Sequence, residues 1–155
     1  MVKPKKLGHL VLRVRDLERS EAFYTEVLGL EVTTRIPGVM VFMRAAADSS
    51  HELALMSVGA GAPGPDLTRV GLYHFAWLMD SFEDLQTMYR ELQERDVSIA
   101  GIGDHGVSLG VYLFDPDGNE IEVFYELPQE EWPEENIFAG KFPRSLEGRV
   151  APEPA

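Results

Sequence analysis

The chain carries four histidines and no cysteine, so a bound metal must rest on imidazole and carboxylate groups. His9 heads the run "GHLVLRV" and His74 lies in "LYHFAWLMD", two short apolar stretches rich in branched and aromatic residues. A later stretch, "EIEVFYE", offers Glu120 and Glu122 with apolar residues between them. Two neutral imidazoles and one carboxylate make the facial triad that holds non-haem iron(II) and leaves coordination positions open. Manganese(II), zinc and nickel(II) also accept such donors. His51 and Glu52, adjacent in "SHELALM", are further ligands, catalytic groups or simply the polar mouth of a strand. His105 lies in the Gly-rich "GDHGVSLG", and Tyr112 follows in the strand-like run after it.

Whether these groups meet depends on the elements that carry them. "GHLVLRV" (8–14) reads as a strand, and "DLERSEAFYTEVLGL" (16–30) as a helix with Asp16 as N-cap and Gly29 as its stop. Strand-like segments follow at 31–36, at 39–44 after the Pro37-Gly38 turn, and at 52–58. The Gly- and Pro-rich stretch 59–69 marks a surface connection. The order then restarts with a strand over 72–80, a helix over 81–96 capped by Ser81, and strands at 97–100, 107–114 and 120–126. Asp115-Pro116-Asp117-Gly118-Asn119 supplies the turn between the last two. An offset of 65 residues lays His9 on His74, Asp16 on Ser81 and Tyr24 on Tyr89, so the chain reads as a duplicated βαβββ unit. If the two units pair about a pseudo-twofold axis, their first strands bring His9 and His74 together. The expected fold is α+β, two βαβββ modules (7–58 and 72–126) forming a curved mixed sheet around a metal site. Residues 127–155 hold five of the ten prolines and read as an extension that drapes over a surface or frays.

Composition narrows the partners. With 26 acidic and 14 basic residues the formal charge is −12, a field that repels phosphate backbones and anionic lipid. Nucleic acid and membrane are therefore excluded as expected partners. No apolar run approaches a membrane span, and "MVKPKKLGHL" lacks the apolar stretch of a signal peptide, which points to a cytoplasmic protein.

Three motifs, "GHLVLRVRDLERSEAFYTEVLGLEV", "LYHFAWLMDSFEDL" and "YLFDPDGNEIEVFYE", occur in order across the duplicated unit. From Leu7 to about Tyr125 the chain resembles the vicinal oxygen chelate superfamily, which includes glyoxalases, bleomycin-resistance proteins and extradiol dioxygenases. The resemblance implies metal ligation by His9, His74 and Glu122; Glu122 is preferred to Glu120 because it matches the "IEV" position after the DPDGN turn. Glyoxalase-type relatives place a fourth ligand, often glutamate, where this chain has Ala54, which cannot ligate. An open metal face is the arrangement of extradiol ring-cleaving dioxygenases acting on catechol-like diols and O2. In those enzymes a histidine at the place of His51 serves as acid/base, a tyrosine ten residues before the carboxylate touches substrate, as Tyr112 would here, and a histidine near the place of His105 steadies substrate or pocket.

The resemblance therefore implies an iron(II)-dependent extradiol dioxygenase of aromatic-compound catabolism, with a glyoxalase-like isomerase or lyase as the second reading and a metal-free binding protein as the third. Regular strand alternation would turn Glu52, not His51, to the face of Ala54, and the sequence leaves that choice open. It also leaves open a homodimer, because the family pairs modules within a chain or between chains.

Overall fold

The computed structural model describes residues 1–132 and residue 146. The chain divides into two compact units, Met1–Pro65 and Asp66–Ala155, and each carries one module. In the first, β1 (Leu10–Val14), α1 (Leu17–Glu26), β2 (Glu31–Ile36), β3 (Met40–Arg44) and β4 (Leu53–Ser57) follow in order. The sheet order is β1-β4-β3-β2, with β1 parallel to β4 and the remaining pairs antiparallel. In the second, β5 (His74–Leu78), α2 (Phe82–Glu94), β6 (Ile99–Asp104), β7 (Ser108–Phe114) and β8 (Glu120–Glu126) repeat the plan as β5-β8-β7-β6. β5 again runs parallel to β8. The duplicated α+β reading thus holds element by element, with the strands shared between two four-stranded mixed sheets.

Local chemistry accounts for the element ends. Asp16 accepts from the Arg19 amide at 3.0 Å and Ser81 Oγ from the Asp84 amide at 3.1 Å, each satisfying a helix donor that has no partner within the helix. After α1 the chain passes through Gly29 at φ +69, a conformation in which a Cβ is penalised. The registered tyrosines are both buried, Tyr24 on α1 and Tyr89 on α2. In α2 the buried set Phe82, Leu85, Tyr89 and Leu92 recurs at helical spacing. Each helix covers one face of its own sheet, α1 against β3 and β4 and α2 against β8.

That covering sorts the strand residues. In β8, Ile121 and Val123 are fully buried, while Glu120, Glu122 and Phe124 line an open cavity. In β7, Leu109, Val111 and Leu113 belong to the core, and Ser108 and Tyr112 line the same cavity. Period-two alternation therefore separates core from site on both strands.

Several boundaries differ from the sequence reading. β1 begins at Leu10 and β4 at Leu53, leaving His9, His51 and Glu52 just outside regular strand. β6 runs on from the expected 97–100 to Asp104, through Gly101 and Gly103, because its ladder to β7 compensates for their poor strand propensity. Most of the 127–155 extension lies outside the described residues. Of its described part, Leu146 is buried and its carbonyl accepts from Gln86 Nε2 on α2 at 3.2 Å.

Candidate functional site

In the second module, four of the residues singled out by sequence converge. His74 opens β5, and β5 pairs in parallel with β8, which carries Glu122 two residues along from the partner of His74. The imidazole Nε2 of His74 lies 3.3 Å from Glu122 Oε2. Glu122 is 8% exposed, so its charge needs compensation from within the site. Across the β7–β8 ladder Glu122 is the register partner of Tyr112. The Tyr112 ring meets His74 edge-on at 5.5 Å, and its hydroxyl lies 3.0 Å from His105 Nε2.

The register that joins Tyr112 to Glu122 is set by the turn. Asp115 is buried and its carboxylate accepts from the amides of Asp117 and Asn119 at 2.9 and 2.8 Å and from Asn119 Nδ2 at 2.8 Å. A one-residue slip would turn every side chain of β8 to the opposite face, so this turn decides which glutamates reach the cavity. The tight return from β6 to β7 does the same for His105. Its amide donates to the Ser108 carbonyl at 2.8 Å, and Gly106 at φ +83 donates to Asp104 Oδ1 at 3.0 Å, which folds His105 back over Tyr112.

These residues line an open cavity of about 1070 Å³. Burial pushes the Tyr112 phenol well above its ordinary pKa, and the neighbouring Glu122 charge adds to the effect. Tyr112 is therefore a neutral hydrogen-bond donor throughout the physiological range. Of the aromatic candidates, Phe124 lines the cavity, Tyr125 packs against Phe82 at 6.1 Å, and Phe75 and Trp77 contact each other at 6.4 Å.

The first module gathers the other two histidines. The rings of His9 and His51 lie 4.5 Å apart, and Phe42 meets His51 edge-on at 5.3 Å. Ser50 Oγ lies 3.1 Å from His51 Nδ1. Glu52 is drawn elsewhere: its side-chain Oε2 accepts from the Ala45 amide at 2.9 Å, and its carbonyl accepts from the Leu10 amide at 2.8 Å. The alternation that would have turned Glu52 to the site does not operate, because neither residue belongs to β4. Ala54 is fully buried in the middle of its sheet, paired with Val11 and Phe42.

The donors fit a metal. Two atoms each about 2.1 Å from one ion lie about 3.0–3.4 Å apart, the range in which His74 Nε2 and Glu122 Oε2 are found. Among the described residues no three His, Asp or Glu side chains gather closely enough to hold a metal ion by themselves. His74 Nδ1 is buried and meets no hydrogen-bond partner among the described residues. Sequence reasoning missed two residues beside these groups, Gly103 and Gly110, whose absent side chains leave room for Tyr112, His105 and Glu122. For Gly110, inside the strand expected at 107–114, glycine in a strand interior was the available signal; Gly103 lay beyond the strand expected at 97–100.

A duplicated βαβββ architecture, with imidazole and carboxylate at the start of one strand and within its parallel neighbour, defines a class of metal-centred and ligand-binding proteins. The profile of the Glyoxalase/Bleomycin resistance protein/Dioxygenase superfamily matches residues 6–123, and the chain belongs to that superfamily. Among its relatives, the catechol-2,3-dioxygenase of Bacillus subtilis (strain 168) is 35% identical over 127 residues, covering 81% of this chain and 43% of that protein. The biphenyl-2,3-diol 1,2-dioxygenase 3 of Rhodococcus globerulus is 32% identical over 119 residues, covering 76% and 62%. The chain thus spans about half the length of these curated relatives. A crystal structure of lactoylglutathione lyase from Agrobacterium tumefaciens superimposes with a TM-score of 0.63 at 25% identity, covering 79% of this chain and 94% of that one. Among the described residues no helix is long and apolar enough to cross a membrane.

Proposed function

We propose that the chain is an iron(II)-dependent extradiol dioxygenase that cleaves the ring of a catechol-like aromatic diol with O2. The observation that carries this reading is the pairing of His74 with Glu122 at 3.3 Å beside the Tyr112–His105 hydrogen bond, all on one cavity. In it His9, His74 and Glu122 hold the metal. Bound there, iron would supply adjacent coordination positions for both diol oxygens and for O2, and would lower the pKa of the bound diol.

The side chains have distinct tasks. Tyr112, held neutral by burial and by Glu122, donates to a substrate oxygen and orients the ring. His105 Nε2 holds the Tyr112 hydroxyl and lines the cavity beside it. His51 has Nδ1 engaged by Ser50, so Nε2 is the atom that accepts a proton from the diol and later returns it. The edge of Phe42 fixes the His51 ring for that exchange. Both atoms of O2 enter the ring-opened product, and no external reductant is consumed.

The likeness to lactoylglutathione lyase keeps an isomerase or lyase as the second reading. Ala54, which offers no donor, and Glu52, held by the Ala45 amide, weigh against a fourth ligand from β4. A metal-free binding protein would have no use for the buried His74–Glu122 pair. Protein purified without oxygen should contain iron near one per chain and turn catechol into a yellow ring-opened product. Absence of bound metal under every condition would sink both enzyme readings; metal without ring opening would move the lyase ahead.

A further inference from the structure

β6 and β7 each place a glycine on the face that carries the site. Gly103 and Gly110 are direct register partners across the β6–β7 ladder, so both present a bare backbone to the same side. Tyr112 is two residues on from Gly110 and shares that face, and Glu122, paired with Tyr112, lies diagonally across it. The Glu122 side chain lies over Gly110. A Cβ at position 110 would overlap Glu122 Oε1 outright and stand 3.0 Å from its Cδ and 3.1 Å from its Cγ. At position 103 a Cβ would stand 2.9 Å from Tyr112 Cε2, 3.0 Å from His105 Nε2 and 3.3 Å from the Tyr112 hydroxyl. At Gly101, two residues earlier on β6, it would meet nothing within 4 Å. None of the three glycines has positive φ, so the backbone does not require glycine at any of them. Glycine in a strand costs conformational entropy and packing, and here the recovered quantity is space for the functional side chains.

We infer that Gly110 is a positioning residue for the Glu122 carboxylate and Gly103 for the Tyr112–His105 pair, the two together forming a side-chain-free floor that sets where these groups stand. The inference rests on the reading of Glu122 as a ligand only for its metal arm. Gly110→Ala is accommodated at the flexible end of a side chain, since the atoms it meets are the Glu122 carboxylate and the methylene next to it. The sheet therefore persists and the carboxylate moves away from His74. Gly103→Ala displaces the phenol and imidazole and leaves Glu122 in place.

The test compares Gly110→Ala, Gly103→Ala and Gly101→Ala with the parent protein in urea midpoint and in iron(II) affinity, measured without oxygen by chelator competition. Gly110→Ala is expected to weaken iron(II) binding by at least about tenfold, the scale of changes that misplace a metal ligand without removing it. Gly101→Ala and Gly103→Ala are expected to stay within about threefold in that affinity and all three to keep their urea midpoints. The double variant Gly110→Ala with Glu122→Asp shortens the carboxylate and relieves the overlap, so it should bind iron(II) more tightly than Gly110→Ala alone. An unchanged affinity in Gly110→Ala, or no recovery in the double variant, overturns the inference. In metal-free protein the His74 ring-proton resonances, assigned by their loss in His74→Gln, should move in Gly110→Ala and not in Gly101→Ala. That comparison decides the glycine's role even if the parent protein binds no metal, an outcome that would overturn the proposed function instead.

Discussion

Asp115 offers the sharpest test of how the fold builds the site. Its buried carboxylate accepts at Oδ1 from the Asp117 and Asn119 amides and at Oδ2 from Asn119 Nδ2. Asp115→Ala removes both acceptor oxygens and with them these three bonds, and leaves the donors in a site that water reaches poorly. At about 1 kcal/mol net for each bond, the loss is about 3 kcal/mol. For a chain of this size that lowers the melting temperature by about 6–12 °C. Asp115→Asn keeps the amide oxygen in the place of Oδ1, so it should lose about 1 kcal/mol. Urea unfolding gives both values, with the slope checked so that a changed unfolded state is not mistaken for lost stability. Because the turn sets the Tyr112–Glu122 register, metal affinity should fall in Asp115→Ala under conditions where the protein is still folded. Equal stability losses in the alanine and asparagine variants, or a loss below about 0.5 kcal/mol in the former, would refute the idea that these bonds hold the turn.

Glu122→Gln and His74→Ala each remove a charge or donor from the pair at 3.3 Å and should abolish stoichiometric iron binding, read by metal analysis after anaerobic purification. His51→Gln should keep iron near one per chain while slowing turnover by about 10²-fold or more, the usual scale for losing a positioned acid/base group; loss of iron would place His51 among the ligands instead. Tyr112→Phe should bind iron normally and turn over diol more slowly. It should also flatten the alkaline end of the stability profile. A phenol whose pKa is raised by folding contributes stability that is complete below its unfolded pKa, about 10, and is lost as pH rises toward the folded value, so parent and variant should diverge only above about pH 10. Chelator treatment should remove activity that iron(II) restores, followed by appearance of the yellow product.

Much of this was legible along the chain because local rules carry it. The caps Asp16 and Ser81, the stop at Gly29 and the buried apolar spacing of α2 follow from hydrogen-bonding and side-chain geometry within a few residues. The repeat followed from registering His9 on His74 and Tyr24 on Tyr89, and the two tyrosines occupy equivalent buried places. The spacing of Tyr112 and Glu122 was informative because a tight turn converts a ten-residue separation into direct cross-strand pairing.

The sequence by itself determined the two-module order, the donor types and the face on which Glu122 lies, since alternation and turn chemistry are local. Only tertiary structure showed Glu52 held by the Ala45 amide and His51 set beside His9, because both residues precede β4 and the amide comes from a neighbouring loop. His105 is a loop residue, as its Gly-rich stretch suggested, and only the β6–β7 return laid it against Tyr112. The bare floor of Gly103 and Gly110 exists only in the sheet, since their 103-to-110 pairing across strands is a matter of register and no single strand contains it. What a missing side chain makes room for is a property of neighbours that only the folded chain brings within reach.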